Sequence, residues 1–485
     1  MQDAVRDSVG EARGVRLLPW LVAIAFFMES LDTTILNTAV PAVAEALRVA
    51  PLSMKAVLSS YTLSLAVFIP ISGWMADRFG TRRVFAAAIG TFTLGSLLCG
   101  ISTDVHSLVA SRVLQGFGGA MMVPVGRLTL VRTFAKSELV RVMSFIAMPA
   151  LIGPMLGPLI GGIIVSYFHW RVIFFVNLPI GLAGLYMVYK NLPDYRERDS
   201  KPLDVVGLIL FGSGVALLSY VLEVFGEHTM SLREVVGLLV LSLFLLAGYG
   251  FHSIRTAYPL LAMDLFGIRT FRTAVIGSFV TRLGIGGIPF LLPLLYQVGL
   301  GFTPVQSGLL IMPQALASMA MKPIMPKVLS RLGYRSVLVS NTILLGLLIG
   351  LFATIDIGTP FWLILIQASC YGFLSSMQFT SMNTLIYADL MPEQSSGAST
   401  IASTMQQMSL SFGVATASLI AAIFVPDRMH SSSAEMMVGV HKAFWVLGFL
   451  TVISVAVFRE LNSTDGESVS LHGSAAAEEN QPAEA

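Results

Sequence analysis

An all-α, polytopic membrane fold is predicted by three observations: the scarcity of charge, the recurrence of long apolar runs, and a short basic loop that occurs twice. Charged residues make up 12 % of the 485 residues and hydrophobic residues 55 %, with a mean hydropathy of +0.78, whereas an ordinary globular protein is about 25 % charged. A helix needs roughly twenty apolar residues to cross about 30 Å of hydrocarbon. Fourteen such runs are present, near residues 17–40, 53–75, 83–103, 106–130, 140–166, 168–190, 203–223, 234–252, 272–298, 304–326, 335–355, 360–388, 396–425 and 439–458. The loop Arg78-Phe79-Gly80-Thr81-Arg82-Arg83-Val84 after the second run returns as Arg331-Leu332-Gly333-Tyr334-Arg335-Ser336-Val337 after the tenth. Repeated halves of this kind are a common transporter architecture, with the substrate site near the midplane. The expected division is a tail at 1–16, a six-helix half at 17–190, a linker with two extra helices at 191–255, a second six-helix half at 256–460 and a disordered tail at 461–485.

Orientation follows from the basic residues. With the N-terminus inside, the clusters at 78–83, 132–141, 190–201, 255–272 and 327–335 are cytoplasmic, and the outer loops hold Arg48, Lys55, Arg171, Arg233, Arg428 and Lys442, which fits the positive-inside rule. An even number of spans returns the C-terminus to the cytoplasm. The first run is too long for a signal sequence and lacks a cleavage site, so it is expected to stay. Cys99 and Cys370 stand in apolar runs with no metal or CxxC spacing and read as packing residues. Beyond Arg459 the chain is too polar to be expected to pack.

The first span carries the leading candidates. Glu29 and Asp32 lie three residues apart on one face of a helix that is otherwise apolar from Trp20 to Met28. A charge near the bilayer centre costs at least a few kcal/mol, so such groups face a bundle interior or an aqueous cavity and act there. Arg112 in the fourth span is their expected partner. Asp32 lies about eight residues before one outer loop and Arg112 about six after the next, so at about 1.5 Å per residue they reach similar depth. Burial favours a neutral carboxyl and a nearby arginine favours a charged one, so the conformation around such a pair can decide whether it holds a proton. Two acids this close would titrate as a coupled unit.

In the loop after span two, Gly80 permits a tight turn, while Asp77 can pair with an arginine or face a helix N-terminus. Span five repeats Gly153, Gly157 and Gly161 every four residues, beside a row of Pro154, Pro158 and Gly162. Small residues at that spacing let helices approach closely, and prolines bend them. Arg282, about ten residues into span nine, has no acid nearby in sequence and invites an anion or a distant carboxylate. Arg127 and Lys322 sit nearer the cytoplasmic ends, where they can snorkel. Gln378 and Asn383 of span twelve are candidate cavity donors, with helix-to-helix hydrogen bonding as the other reading. No GxxxxGK[ST] loop, HExxH or paired-cysteine metal motif is present, so neither an ATP site nor a metal or other cofactor is expected.

Five stretches resemble the major facilitator superfamily, and specifically its fourteen-span drug and proton antiporter branch, within which the chain is most similar to the MdtD-type members. They are Leu31-Asp32 through Asn37 to Pro41, Gly73 through Asp77-Arg78 and Gly80 to Arg83, Arg112 through Gln115-Gly116 to Ala120, Gly153-Pro154 through Gly157-Pro158 to Gly161-Gly162, and Trp170-Arg171 through Asn177 to Gly181. The resemblance covers the chain apart from its tails. It implies the major facilitator fold and a latch of the outward-facing state at Gly73, Asp77, Arg78, Gly80 and Arg82. It further implies an antiporter motif in span five that seals the path against proton leak, and a substrate cavity whose lining includes Asn37 and Gln115. Met405-Gln406-Gln407-Met408 departs from the arginine-glutamine pair of many relatives.

The resulting expectation is a monomeric, proton-coupled exporter of the bacterial plasma membrane, not an enzyme, working on drugs or other amphipathic small molecules without nucleic acid. Acids at 29 and 32 favour cationic cargo. Arg282 and Arg127 favour small organic anions or metal chelates such as iron citrate. A non-transporting scaffold or receptor would need a soluble sensor segment that the sequence lacks.

Overall fold

The computed structural model describes residues 2–134, 136–196, 202–224, 230–391, 394–425 and 432–466. Arg198, Lys201, Arg428 and the tail from 467 lie outside these described residues, as do the side chains of Lys136 and Arg141. The spanning helices are α1 Leu17–Leu47, α2 Pro51–Phe79, α3 Thr81–Ile101, α4 Val105–Thr133, α5 Lys136–Tyr167, α6 Val172–Asn191, α7 Val205–Val224, α8 Leu232–Arg255 and α9 Arg269–Gly299. There follow α10 Pro304–Met321, α11 Met325–Thr354, α12 Phe361–Leu385, and α13 Ser395–Ile423 with α14 Ser433–Phe458. Among the described residues, 11 helices are long and apolar enough to cross a membrane. The other three expected spans, α5, α10 and α12, are helical but fall outside that measure. The hydroxyl and amide groups of α10 and α12, such as Gln314, Ser318, Ser375 and Gln378, reduce their apolarity.

Local chemistry sets the helix starts. Asp104 caps α4: its carboxylate accepts from the Ser107 N–H at 2.9 Å, and the Asp104 N–H donates to the Ser107 hydroxyl at 3.4 Å. These bonds hold the exposed Asp104 carboxyl below its ordinary range. The contribution of this cap is therefore present above the ordinary carboxylate value and lost as pH falls through the lowered one. Ser231 with Glu234 and Ser432 with Glu435 form the same reciprocal box on α8 and α14.

Two compact units make up the chain. The first comprises Met1–Ser219, Leu238–Tyr249 and Phe302–Leu309, and the second comprises Tyr220–Gly237, Gly250–Gly301 and Leu310–Ala485. The residues read as a linker, 191–255, are thus shared between them. Within the first unit α7 joins α8 through the Ser242 hydroxyl, which donates to the Gly214 carbonyl at 2.8 Å. In the second unit the Thr281 and Ser454 hydroxyls bond at 2.8 Å between α9 and α14.

The repeated loop has the same backbone in both places. Gly80 takes φ 93°, ψ 141° and Gly333 takes φ 69°, ψ 164°, a region that only glycine enters without strain. Two expectations are corrected here. Cys370 is exposed rather than packed. The chain after Arg459 packs through residue 466: Leu461 is buried, and Asp465 accepts from Arg269 at 2.6 Å. Its polar groups find partners at the start of α9, which the polarity of the segment could not reveal.

Candidate functional site

Asp32 stands in the middle of α1 with 1 % of its surface exposed, and Arg112 on α4 is equally buried. The Arg112 Nη1 donates to Asp32 Oδ2 at 2.6 Å and to Gln115 Oε1 at 2.6 Å. Asp32 Oδ1 accepts from Gln115 Nε2 at 2.8 Å and from Asn177 Nδ2 at 2.9 Å. Both amides also donate to the Ser96 hydroxyl on α3, at 2.8 Å and 3.3 Å. Tyr61 on α2 closes the site, with the guanidinium 4.3 Å from its ring centroid, an arrangement that stabilises a desolvated cation. Five helices of one unit therefore converge on a single carboxylate. The Arg112 Nε has no acceptor among the described residues, and an unmet buried donor costs about 1–3 kcal/mol.

The structure brings Asp32, Arg112 and Gln115 together and sets Arg282 beside Asn383, while the other candidates lie apart. Glu29 is half-buried and outside this network, as is Asn37, which lies five residues from Asp32 and so on another face of α1. Gln115, expected to line a cavity, is consumed by the Asp32 network. Gln378 is likewise not a cavity donor: it is fully buried, accepts from Asn341 at 2.8 Å and donates to Thr342 at 2.8 Å, which joins α11 to α12. Sequence reasoning missed Asn177, Ser96 and Tyr61 as site residues. Asn177 lies in the motif that runs from Trp170 to Gly181, whereas nothing local marks a serine or a tyrosine as a partner of an acid far away in sequence.

In the second unit Arg282 is 3 % exposed. Its Nε donates to the Ser278 hydroxyl at 2.9 Å, its Nη2 reaches Asn383 Oδ1 at 3.5 Å, and its guanidinium lies 4.1 Å from the Phe379 centroid. No carboxylate pairs with it among the described residues. One turn away on the same stretch of α12, the Thr380 hydroxyl accepts from Lys322 at 3.0 Å.

The loop signature pairs within the first unit. Asp77 accepts from Arg132 of α4 at 2.9 Å, while the role of acid at a helix N-terminus falls to Asp194, which accepts from the Arg82 N–H at 3.1 Å. The segment around Tyr195 is fixed on the turn, since the Thr81 N–H donates to the Tyr195 carbonyl at 3.0 Å. The side chains of Arg78 and Arg82 are exposed, and a methyl group at Gly73 would meet nothing within 4 Å, so Gly73 makes no close contact of its own. At Gly80 a methyl group would run into the Asp194 carboxylate. Gly80→Ala combines that clash with a glycine-only backbone, a strain of about 1–3 kcal/mol. It is expected to slow transport several-fold with normal membrane insertion, as measured by initial rates per inserted protein.

The glycine stripe of α5 faces α1. A methyl group at Gly153 would stand 2.9 Å from the Leu31 nitrogen, one at Gly157 3.2 Å from the Ile35 nitrogen, and one at Gly161 would strike the Ile35 carbonyl. The Thr34 hydroxyl also reaches the Gly153 carbonyl at 3.3 Å. Gly157 and Gly161 thus hold span five against the first span of the same unit. The adjacent row differs: Pro154 is exposed, and a methyl group at Gly162 would strike the backbone at Pro304.

Comparisons with known proteins agree with this picture. The family model described as Major Facilitator Superfamily matches residues 22–414 and 274–478. The MdtD protein of Serratia proteamaculans, named for multidrug resistance, is 40 % identical over 88 % of this chain and 88 % of its own. Its namesake from Escherichia coli O45:K1 is 37 % identical over 93 % of this chain and 96 % of its own. A solved D-xylose-proton symporter superimposes with a TM-score of 0.65 at 14 % identity, covering 92 % of this chain and 98 % of that one. A bacterial homologue of the human lysosomal transporter Spinster gives 0.65 at 13 %, covering 92 % and 96 %. A multi-pass helical chain with a buried acid and arginine in its first and fourth spans, matched by that family model over most of its length, belongs to the major facilitator superfamily.

Proposed function

We propose that this chain is a proton-coupled exporter of small amphipathic molecules, drugs among them, at the bacterial inner membrane, and that it works by alternating access. The observation that carries this reading is the Asp32 carboxylate, buried on Arg112 with two amide donors. A proton entering from outside neutralises it, loosens its hold on Arg112 and lets cargo leave outward. The energy comes from the proton gradient rather than ATP, both termini lie in the cytoplasm, and a single chain suffices. The multidrug naming of the relatives supports an efflux direction. Uptake into inverted membrane vesicles, driven by an imposed pH gradient, tests it. Accumulation of at least one drug that collapses with an uncoupler is expected, and accumulation indifferent to the pH gradient would contradict the reading.

A second cargo class rests on Arg282. A buried guanidinium that pairs with no carboxylate among the described residues favours an anionic partner, and Lys322, just after α10, adds a second cation where it donates to Thr380 of α12. Were the cargo a small organic anion or a metal chelate such as iron citrate, Arg282→Gln would weaken its binding by about tenfold or more, the worth of a charge-assisted hydrogen bond. For a lipophilic cation the same change leaves affinity unaltered or improves it. Calorimetric titration of purified wild type and variant at one pH and one salt concentration distinguishes the two.

A further inference from the structure

We infer that Asn177 is a positioning residue for proton coupling: it donates to the ionised Asp32 carboxylate and is the contact surrendered when that carboxylate takes a proton. This rests on the proton-coupled reading above. Asp32 Oδ1 accepts two amide N–H bonds, from Gln115 at 2.8 Å and Asn177 at 2.9 Å. A proton added to that oxygen converts an acceptor into a donor, so the two N–H groups and the new O–H can no longer all point at one another. One amide must withdraw.

The surroundings decide which. Gln115 is held at both ends of its amide, because its oxygen accepts from Arg112 at 2.6 Å while its nitrogen also donates to Ser96 at 2.8 Å. Turning it over would set N–H groups against the guanidinium. Asn177 has a single further bond from its nitrogen, the longer one to Ser96 at 3.3 Å, and its oxygen accepts nothing from the described residues. The Arg112 bond is made to the other oxygen, Oδ2, at 2.6 Å, so loss of the charge weakens it while the new O–H on Oδ1 does not displace it. Asn177 is therefore the contact that yields, and with it the tie between α1 and the Asn177–Asn191 portion of α6. Protonation is thereby converted into the loss of one polar tie between two packed helices.

Other titratable groups face this site from each neighbouring helix. Glu29 shares α1, Tyr61 comes from α2, Cys99 from α3 and Arg112 from α4. The face of α5 against α1 presents glycines, and α6 adds no ionisable group beside Asn177. None of these replaces the amide donor.

The test is the pH dependence of substrate-driven proton release from purified protein in wild type, Asn177→Leu and Asn177→Asp. Leucine has the shape of asparagine without its donor, so the midpoint is expected to move up by about one pH unit. Aspartate keeps the shape, removes the donor and adds an acceptor, so its midpoint should move further in the same direction. It also serves if the leucine variant does not fold. A midpoint unchanged in either folded variant overturns the role of Asn177. Absence of any proton release from wild type would instead overturn the proton-coupled reading itself.

Discussion

Asp32→Asn is expected to abolish uphill export while leaving the protein inserted and able to exchange cargo down its gradient. The carboxylate stands next to a fixed cation inside a fully buried network, and in the proposed mechanism it is the group that takes up the proton. Asparagine keeps the size and one acceptor but holds no exchangeable charge. It also leaves Arg112 without its counter-ion, and breaking a buried pair from one side typically costs about 3–5 kcal/mol. Asp32→Glu separates the two effects, since it restores the charge at the expense of geometry. Measured in inverted vesicles, Asp32→Asn should show no accumulation against a gradient and Asp32→Glu a partial rate. Glu29→Gln should have a milder effect, because Glu29 lies outside the network. Normal pH-driven accumulation by Asp32→Asn would remove Asp32 from the coupling mechanism.

Gly157→Leu is expected to cost nearly as much activity for a different reason. The backbone of α1 passes so close that even a methyl group at Gly157 meets the Thr34 side chain, whose Cβ would be 2.9 Å away. A leucine forces the helices apart, and overpacking of this kind typically costs about 1–3 kcal/mol. Because Thr34 and Ile35 follow Asp32 by less than one turn, the displacement reaches the carboxylate. Transport should fall below a tenth of wild type, with a proton leak or reduced thermal stability. A pH-sensitive dye trapped in proteoliposomes reads the leak, and a melting curve reads the stability. Full activity without leak would mean that α1 can retreat from α5 without cost.

How far the sequence disclosed this site depends on the kind of signal each residue carries. An acid in an apolar run is visible because hydrocarbon penalises it, and its arginine partner follows from counting residues to the nearest loop. The four-residue glycine spacing disclosed a smooth face but not its neighbour; only packing reveals that the stripe meets α1. Gln115 and Gln378 were read as cavity donors because amides are ambiguous: the same group can greet a ligand or join two helices, and here both join helices. Asp194 and the 460–466 segment escaped notice because their partners, the start of α3 and Arg269, are remote in sequence. The capping boxes at Asp104, Ser231 and Ser432 are local patterns, an Asp or Ser followed three residues later by Ser or Glu, and the reading of the sequence did not use them.

The central claim is that cargo movement and the charge of one buried carboxylate are linked. Its most direct test is substrate-driven proton flux in proteoliposomes with a trapped pH dye, wild type against Asp32→Asn, across a panel of lipophilic cations and small organic anions. Wild type should move protons opposite to at least one cargo, in proportion to the cargo transported, while Asp32→Asn moves cargo only downhill and no protons. Cargo transport by wild type with no accompanying proton movement, or equal proton movement in both proteins, would contradict the account.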